Sequence, residues 1–107
     1  MKRIRAGLLA LTIALCGNAP ISAGAAGNGP AGQALAQRWC SACHAVDRVG
    51  PASDTAPAFS TIARTAHRDD AWLRAWLTDP HPPMPNFQLS RLQIDDIMAY
   101  LGSLAAP

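Results

Sequence analysis

The sequence predicts a small all-α domain. Its last third carries apolar residues at the three- and four-residue spacing of one helix face, namely Ile94, Ile97, Met98, Leu101 and Leu104. Ser90 and Gln93 stand at the start of this run, in the capping-box pattern of a helix N-terminus. No segment alternates apolar and polar residues for long enough to predict a strand. We therefore expect three to four helices in one domain.

The first helix is predicted over residues 30–43. Pro30 suits the first turn of a helix, and it follows Asn28 and Gly29, which are typical of a helix start. One face of this helix is apolar and carries Gly32, Leu35, Ala36, Trp39 and Cys40. A loop is expected over residues 46–57, because glycine, proline, serine and aspartate recur there.

Two shorter helices are predicted next, over residues 59–66 and 69–78. Asp69 and Asp70 lie at the positive end of the second of these, and Pro80 ends it. Residues 81–87 contain three prolines and are expected to be extended. The capped helix that begins after Ser90 completes the domain.

Residues 1–25 have the pattern of a secretory signal peptide. A basic start precedes a short apolar stretch at residues 6–16 and a small-residue cleavage sequence at residues 23–25. The apolar stretch is too short to span a bilayer, so we expect cleavage rather than a membrane anchor. Lipid attachment at Cys16 is the alternative, which the bulky Leu15 before it disfavours.

Cleavage changes the charge that the composition implies. The 107-residue chain has a formal net charge of +2. Without residues 1–25, the remaining 82 residues carry six arginines and seven aspartates, a balance of about −1. We therefore expect no nucleic-acid partner. The sequence has no run of eighteen or more apolar residues, so we also expect no integral membrane segment after cleavage. A chain this short and rich in alanine buries a small core and is only marginally stable without a crosslink or a bound group. The composition therefore indicates a bound group that completes the core.

Residues 40–44 form the pattern C-x-x-C-H, which is typical of covalent haem attachment. Two thiols on adjacent turns can add to the two vinyl groups of one haem, and the next residue, His44, can then bind the iron. Two other kinds of functional site also use cysteine pairs. A thiol-redox site usually lies in a βαβ setting, and a structural zinc site needs four ligands. The sequence lacks the strands for the former and a second cysteine pair for the latter.

Met84 is the predicted sixth ligand of the iron. It lies between Pro83 and Pro85, which restrict the backbone and reduce the entropy lost when the thioether is presented. His81 is the alternative ligand. Met98 lies within the apolar face of the last helix, where core packing explains it.

In these features the sequence resembles the class I monohaem cytochromes c, the small bacterial periplasmic kind. The resemblance extends from Gly32 to Leu104. It comprises the first helix with its C-x-x-C-H end, the sequence Ala-Pro-Ala-Phe at residues 56–59, the Met84-Pro85 pair, and the last helix around Tyr100.

The resemblance implies roles for individual residues. Cys40 and Cys43 would carry one haem c through thioether bonds, with His44 and Met84 as the iron ligands. The Pro57 carbonyl would accept the Nδ1–H of His44, with Pro51 as the fallback. Gly32 would let the first helix cross the last one against Tyr100. The expected haem walls are Phe59, Ile97 and Leu101.

The chain departs from the family pattern in two places. Ala36 stands where many relatives have an aromatic residue, which predicts a looser helix contact. Trp72 and Trp76 precede the methionine loop at helical spacing. Core packing is the preferred interpretation of both, and a hydrogen bond from one indole to a haem propionate is the alternative.

The sequence thus predicts a periplasmic electron-transfer protein, which is not an enzyme, with one His/Met-ligated haem in a domain of residues 26–107. Its partners would be redox proteins that dock transiently. Three alternatives remain open. They are a gas- or peroxide-responsive haem protein with a labile sixth position, a thiol oxidoreductase without haem, and a subunit of a larger redox complex.

Overall fold

The computed structural model describes residues 27–48, 55–65 and 69–106. These ranges contain four helices and no strand, which confirms the predicted all-α class. The helices are α1 (Gly29–Trp39), α2 (Phe59–Arg64), α3 (Asp70–Thr78) and α4 (Arg91–Ala105). In the described ranges, no helix has the length and apolar character needed to cross a membrane.

The helix starts follow their caps. The Asn28 side chain accepts from the Ala31 amide, and the Asp69 side chain accepts from the Trp72 amide. At α4 both bonds of the predicted capping box form, with Ser90 Oγ 3.2 Å from the Gln93 amide and Gln93 Oε1 2.8 Å from the Ser90 amide.

The predicted end of the first helix was wrong. Helix α1 ends at Trp39, because the Ala36 carbonyl accepts both the Cys40 amide at 2.8 Å and the Ser41 amide at 3.1 Å. This shared acceptor breaks the regular ladder, and a separate turn begins at Cys40. Helix α2 ends at Arg64, where Thr65 is already extended, and the predicted last residue, Ala66, lies outside the described residues.

Helix α4 is the centre of the packing, since each of the other helices contacts it. The buried hydrophobic core consists of Ala36, Val46, Phe59, Leu73, Ile94, Ile97, Met98, Tyr100, Leu101 and Leu104. Six of these ten residues belong to α4. All three expected haem walls are buried in this cluster.

Helix α1 crosses α4 backbone to backbone at Gly32. A Cβ atom on Gly32 would lie 1.9 Å from the Asp96 carbonyl oxygen, so no side chain fits there. We had expected Gly32 to cross α4 against Tyr100. The contact instead lies one helical turn before Tyr100, at Asp96. Asp96 also anchors the start of α1, because its Oδ1 accepts the Asn28 amide at 2.7 Å. Ala36, with 0% exposure, fills the next position of the crossing, so the small residue gives a fully buried contact.

Tyr100 connects α4 to the chain that follows α1. Its hydroxyl donates to the Val46 carbonyl at 2.7 Å, and its ring lies 6.4 Å from that of Phe59. Burial raises the pKa of Tyr100, Asp47 adds to this effect, and Arg48 opposes it. The Arg48 guanidinium in turn donates to the Ser103 and Ala106 carbonyls at the end of α4.

We expect Tyr100→Phe to lower the free energy of unfolding by about 1–2 kcal/mol, because it leaves the carbonyl of buried Val46 without its donor. Urea unfolding at neutral pH measures this loss. The unfolded tyrosine ionises before the folded one, so the advantage of the wild type is present below about pH 10 and declines as the pH rises above it. An advantage that persists unchanged well above that pH would contradict the role of the neutral hydroxyl.

Candidate functional site

The C-x-x-C-H segment forms the turn that follows α1. The Cys43 and His44 amides both donate to the Cys40 carbonyl, at 3.2 and 3.0 Å. Cys40 and Cys43 are free thiols, the former half-buried and the latter exposed. Burial raises the pKa of the Cys40 thiol. A reactive thiol needs the opposite shift, so burial does not activate the Cys40 thiol as a nucleophile.

The His44 imidazole is oriented by two contacts. Its Nδ1 lies 2.7 Å from the Pro57 carbonyl oxygen. Because a carbonyl can only accept, Nδ1 carries the proton, and Nε2 keeps its lone pair available for a metal. The ring also packs edge to face on Phe59, at a centroid distance of 5.5 Å. Pro51, the other candidate acceptor, lies outside the described residues, as does His67.

Met84 lies in a turn closed by its own amide, which donates to the His81 carbonyl at 3.1 Å. The side chain is half-buried, and its Sδ accepts the indole N–H of Trp76 at 3.1 Å. Met98 lies within α4 and is buried in the core, as its position in the apolar pattern predicted. Of the two methionines, Met84 therefore has its sulfur in a polar contact outside the helical core.

The tryptophan pair differs from the sequence prediction. Trp76 is half-buried, whereas Trp72 is 39% exposed, so the preferred core-packing interpretation does not hold for Trp72. The two rings stack at 5.3 Å. The hydrogen bond from Trp76 to Met84 was not predicted from the sequence. The sequence shows an indole N–H donor in the helix that precedes the methionine loop, but it does not show that the two side chains meet.

Two further contacts connect the helices to one another and to the segment that contains Met84. Arg74 of α3 forms an ion pair with Asp95 of α4. Phe87 stacks on Trp39 at the end of α1, with ring centroids 6.0 Å apart. Neither contact was predicted, because each joins residues that are distant in the sequence.

The residues present fit a c-type haem. Two free thiols precede a histidine whose Nε2 is free, and a thioether sulfur with a second lone pair lies in the loop after α3. Phe59, Ile97 and Leu101 provide apolar surface in the adjoining core. Within the described ranges, no three His, Cys, Asp or Glu side chains cluster as a metal site, so the zinc interpretation gains no support.

This fold and donor set define the class of small helical domains that carry a covalently bound haem. The family model described as cytochrome c oxidase, cbb3-type, subunit III matches residues 27–101. The chain is 46% identical over 74 residues to cytochrome c-552 of Bradyrhizobium diazoefficiens, which covers 68% of this chain and 71% of that protein. No solved structure gives a significant match. The chain belongs to this family of c-type cytochrome domains and is an electron-transfer haem protein.

Proposed function

We propose that the protein is a periplasmic electron carrier with one haem c, attached through Cys40 and Cys43 and ligated by His44 and Met84. The observation that carries the proposal is the His44–Pro57 hydrogen bond of 2.7 Å, which fixes the tautomer that a metal-ligating histidine needs. When bound, the haem would supply reversible one-electron chemistry, by which an electron passes from a reduced redox protein to an oxidised one. The protein is not an enzyme in this proposal, since no substrate is converted.

The chain's own residues have three tasks in this proposal. The His44 imidazole, whose Nδ1–H donates to the Pro57 carbonyl, presents Nε2 as the donor to the iron. Met84 offers a soft, neutral sulfur donor, which favours Fe(II) over Fe(III). The apolar core around Ile97, which is 1% exposed, excludes water and disfavours the extra positive charge of the oxidised state.

Location and partners form part of the proposal. A signal peptide at residues 1–25 would be removed on export, leaving a domain of residues 26–107. The slightly acidic domain would dock other redox proteins through a small, transient interface. It would have no nucleic-acid partner and no integral membrane segment after the signal is removed.

A second candidate is a permanent subunit of a redox complex, which the description of the matched family favours. Gentle solubilisation followed by size separation distinguishes the two arrangements. A free carrier gives haem staining at the size of the single domain, whereas a subunit gives staining with a larger assembly.

Replacing Met84 tests the ligand assignment. We expect Met84→Leu, expressed with periplasmic haem-attachment machinery, to lose the weak near-infrared methionine-to-iron band and to become high-spin or bind added ligands. The haem should stay attached, because Cys40 and Cys43 are unchanged. Oxidised and reduced absorption spectra measure both effects.

The same isosteric substitution at Met98 is the matched control, because it keeps the core volume within α4. Met98→Leu and His81→Ala should both retain the band. Persistence of the band in Met84→Leu would refute Met84 as the ligand. A low-spin wild type without the band that becomes high-spin only in His81→Ala would assign the position to His81.

A further inference from the structure

The Trp76 side chain is held on two sides. Its ring stacks on Trp72 at 5.3 Å with an interplanar angle of 15°. Its other neighbour is the His81 ring, which meets it edge to face at 4.8 Å. An indole clamped between two rings has little rotamer freedom, so the direction of its N–H is set before any ligand binds.

That N–H ends on the sulfur of Met84. The separation between Trp76 Nε1 and Met84 Sδ is 3.1 Å, and the indole has no other donor to offer. A thioether sulfur has two lone pairs. One can accept the N–H while the other remains free for a metal, so the bond is compatible with ligation.

We infer that Trp76 is a positioning residue for the sixth ligand, whose N–H bond to Met84 both orients the sulfur and raises the reduction potential of the bound haem. The inference rests on the proposed function, because it requires Met84 to be the ligand. The bond draws electron density from the sulfur and weakens it as a donor. The electron-poor Fe(III) state loses more from this than Fe(II), so the reduced state is favoured.

The test is Trp76→Phe in the haem-loaded protein, with Trp72→Phe as the matched control. Both substitutions are in α3, and both keep an aromatic ring in the stack. Only the first removes the donor to Met84. We expect Trp76→Phe to shift the equilibrium toward Fe(III) by about two- to tenfold at fixed potential, the range of a net hydrogen bond. This corresponds to about 20–60 mV for a one-electron couple.

Two spectroscopic readouts separate a bond to sulfur from general packing. The proton resonance of the Met84 methyl group in the reduced protein and the methionine-to-iron band in the oxidised protein should both move in Trp76→Phe. Neither should move comparably in Trp72→Phe. In the unmodified protein the Trp76 indole proton should exchange slowly with solvent, a measurement that needs no variant.

The outcomes distinguish this inference from the proposed function. If the wild type shows the methionine band but both variants have the same potential and methyl shift, Trp76 does not act on the sulfur, although the carrier proposal stands. A rapidly exchanging Trp76 indole proton would overturn the inference in the same way. A changed pH dependence of the potential with an unmoved methyl resonance would place the indole on a haem propionate instead. A wild type without the band would refute both proposals.

Discussion

Gly32→Ala is expected to destabilise the domain by about 3–5 kcal/mol, a large share of the stability of a chain this small. The added methyl group would lie 1.9 Å from the Asp96 carbonyl oxygen and 2.9 Å from the Ile97 amide nitrogen, both backbone atoms of α4. Backbone within a helix cannot rotate aside as a side chain can, so α1 and α4 must separate. Separation also breaks the 2.7 Å bond between Asn28 and Asp96. Urea unfolding followed by circular dichroism measures the loss.

Gly102→Ala is the matched control for this prediction. Gly102 is exposed on α4, and a Cβ atom there would meet nothing within 4 Å. Because glycine costs about 0.5–1 kcal/mol relative to alanine inside a helix, this variant should be as stable as the wild type or slightly more stable. Equal stability of Gly32→Ala and the wild type would contradict the close crossing of α1 and α4.

The joint replacement of Cys40 and Cys43 by serine is expected to abolish covalent haem attachment. The wild-type polypeptide should retain haem after denaturation, whereas the Cys40→Ser, Cys43→Ser variant should release all of it. Thermal stability should fall sharply as well, because the described core has only ten buried hydrophobic residues and the proposed cofactor adds the rest. Haem staining of denaturing gels and thermal unfolding check the two effects.

Ser41→Ala provides the control within the same turn. Among the described residues the Ser41 hydroxyl donates to the Gln37 carbonyl, at 2.6 Å. Its removal should leave the haem attached and cost about 1 kcal/mol or less. Haem retained by the double serine variant after denaturation would contradict attachment at these two residues. An unchanged melting temperature in that variant would contradict the proposal that the bound haem contributes to the stability of the core.

The helices were predictable where their determinants are local. The capping box at Ser90 and the apolar spacing after it specify α4 from neighbouring residues alone. The end of α1 was not predictable, because it depends on which amides the Ala36 carbonyl accepts. The apolar spacing runs through Cys40, whereas the regular hydrogen-bond ladder ends with the Cys40 amide, because the next amide, that of Ser41, also donates to the Ala36 carbonyl.

The candidate site divides in the same way. The C-x-x-C-H spacing brings its three residues into one turn, and that spacing is readable in the sequence. The contact between His44 and Pro57 joins residues from separate segments, and only the resemblance to a known family suggested it. The bond from Trp76 to Met84 depends on how α3 faces the loop that follows it. No periodicity argument distinguishes Trp76 from Trp72, since both lie on the same face of that helix.

We propose that His44 and Met84 hold the haem iron in both oxidation states of a one-electron carrier. A spectroelectrochemical titration of the exported wild-type protein tests this most directly. We predict a single reversible one-electron transition between two low-spin spectra, with the methionine-to-iron band present in the oxidised state. A high-spin spectrum in either state, or the absence of covalently bound haem, would contradict it.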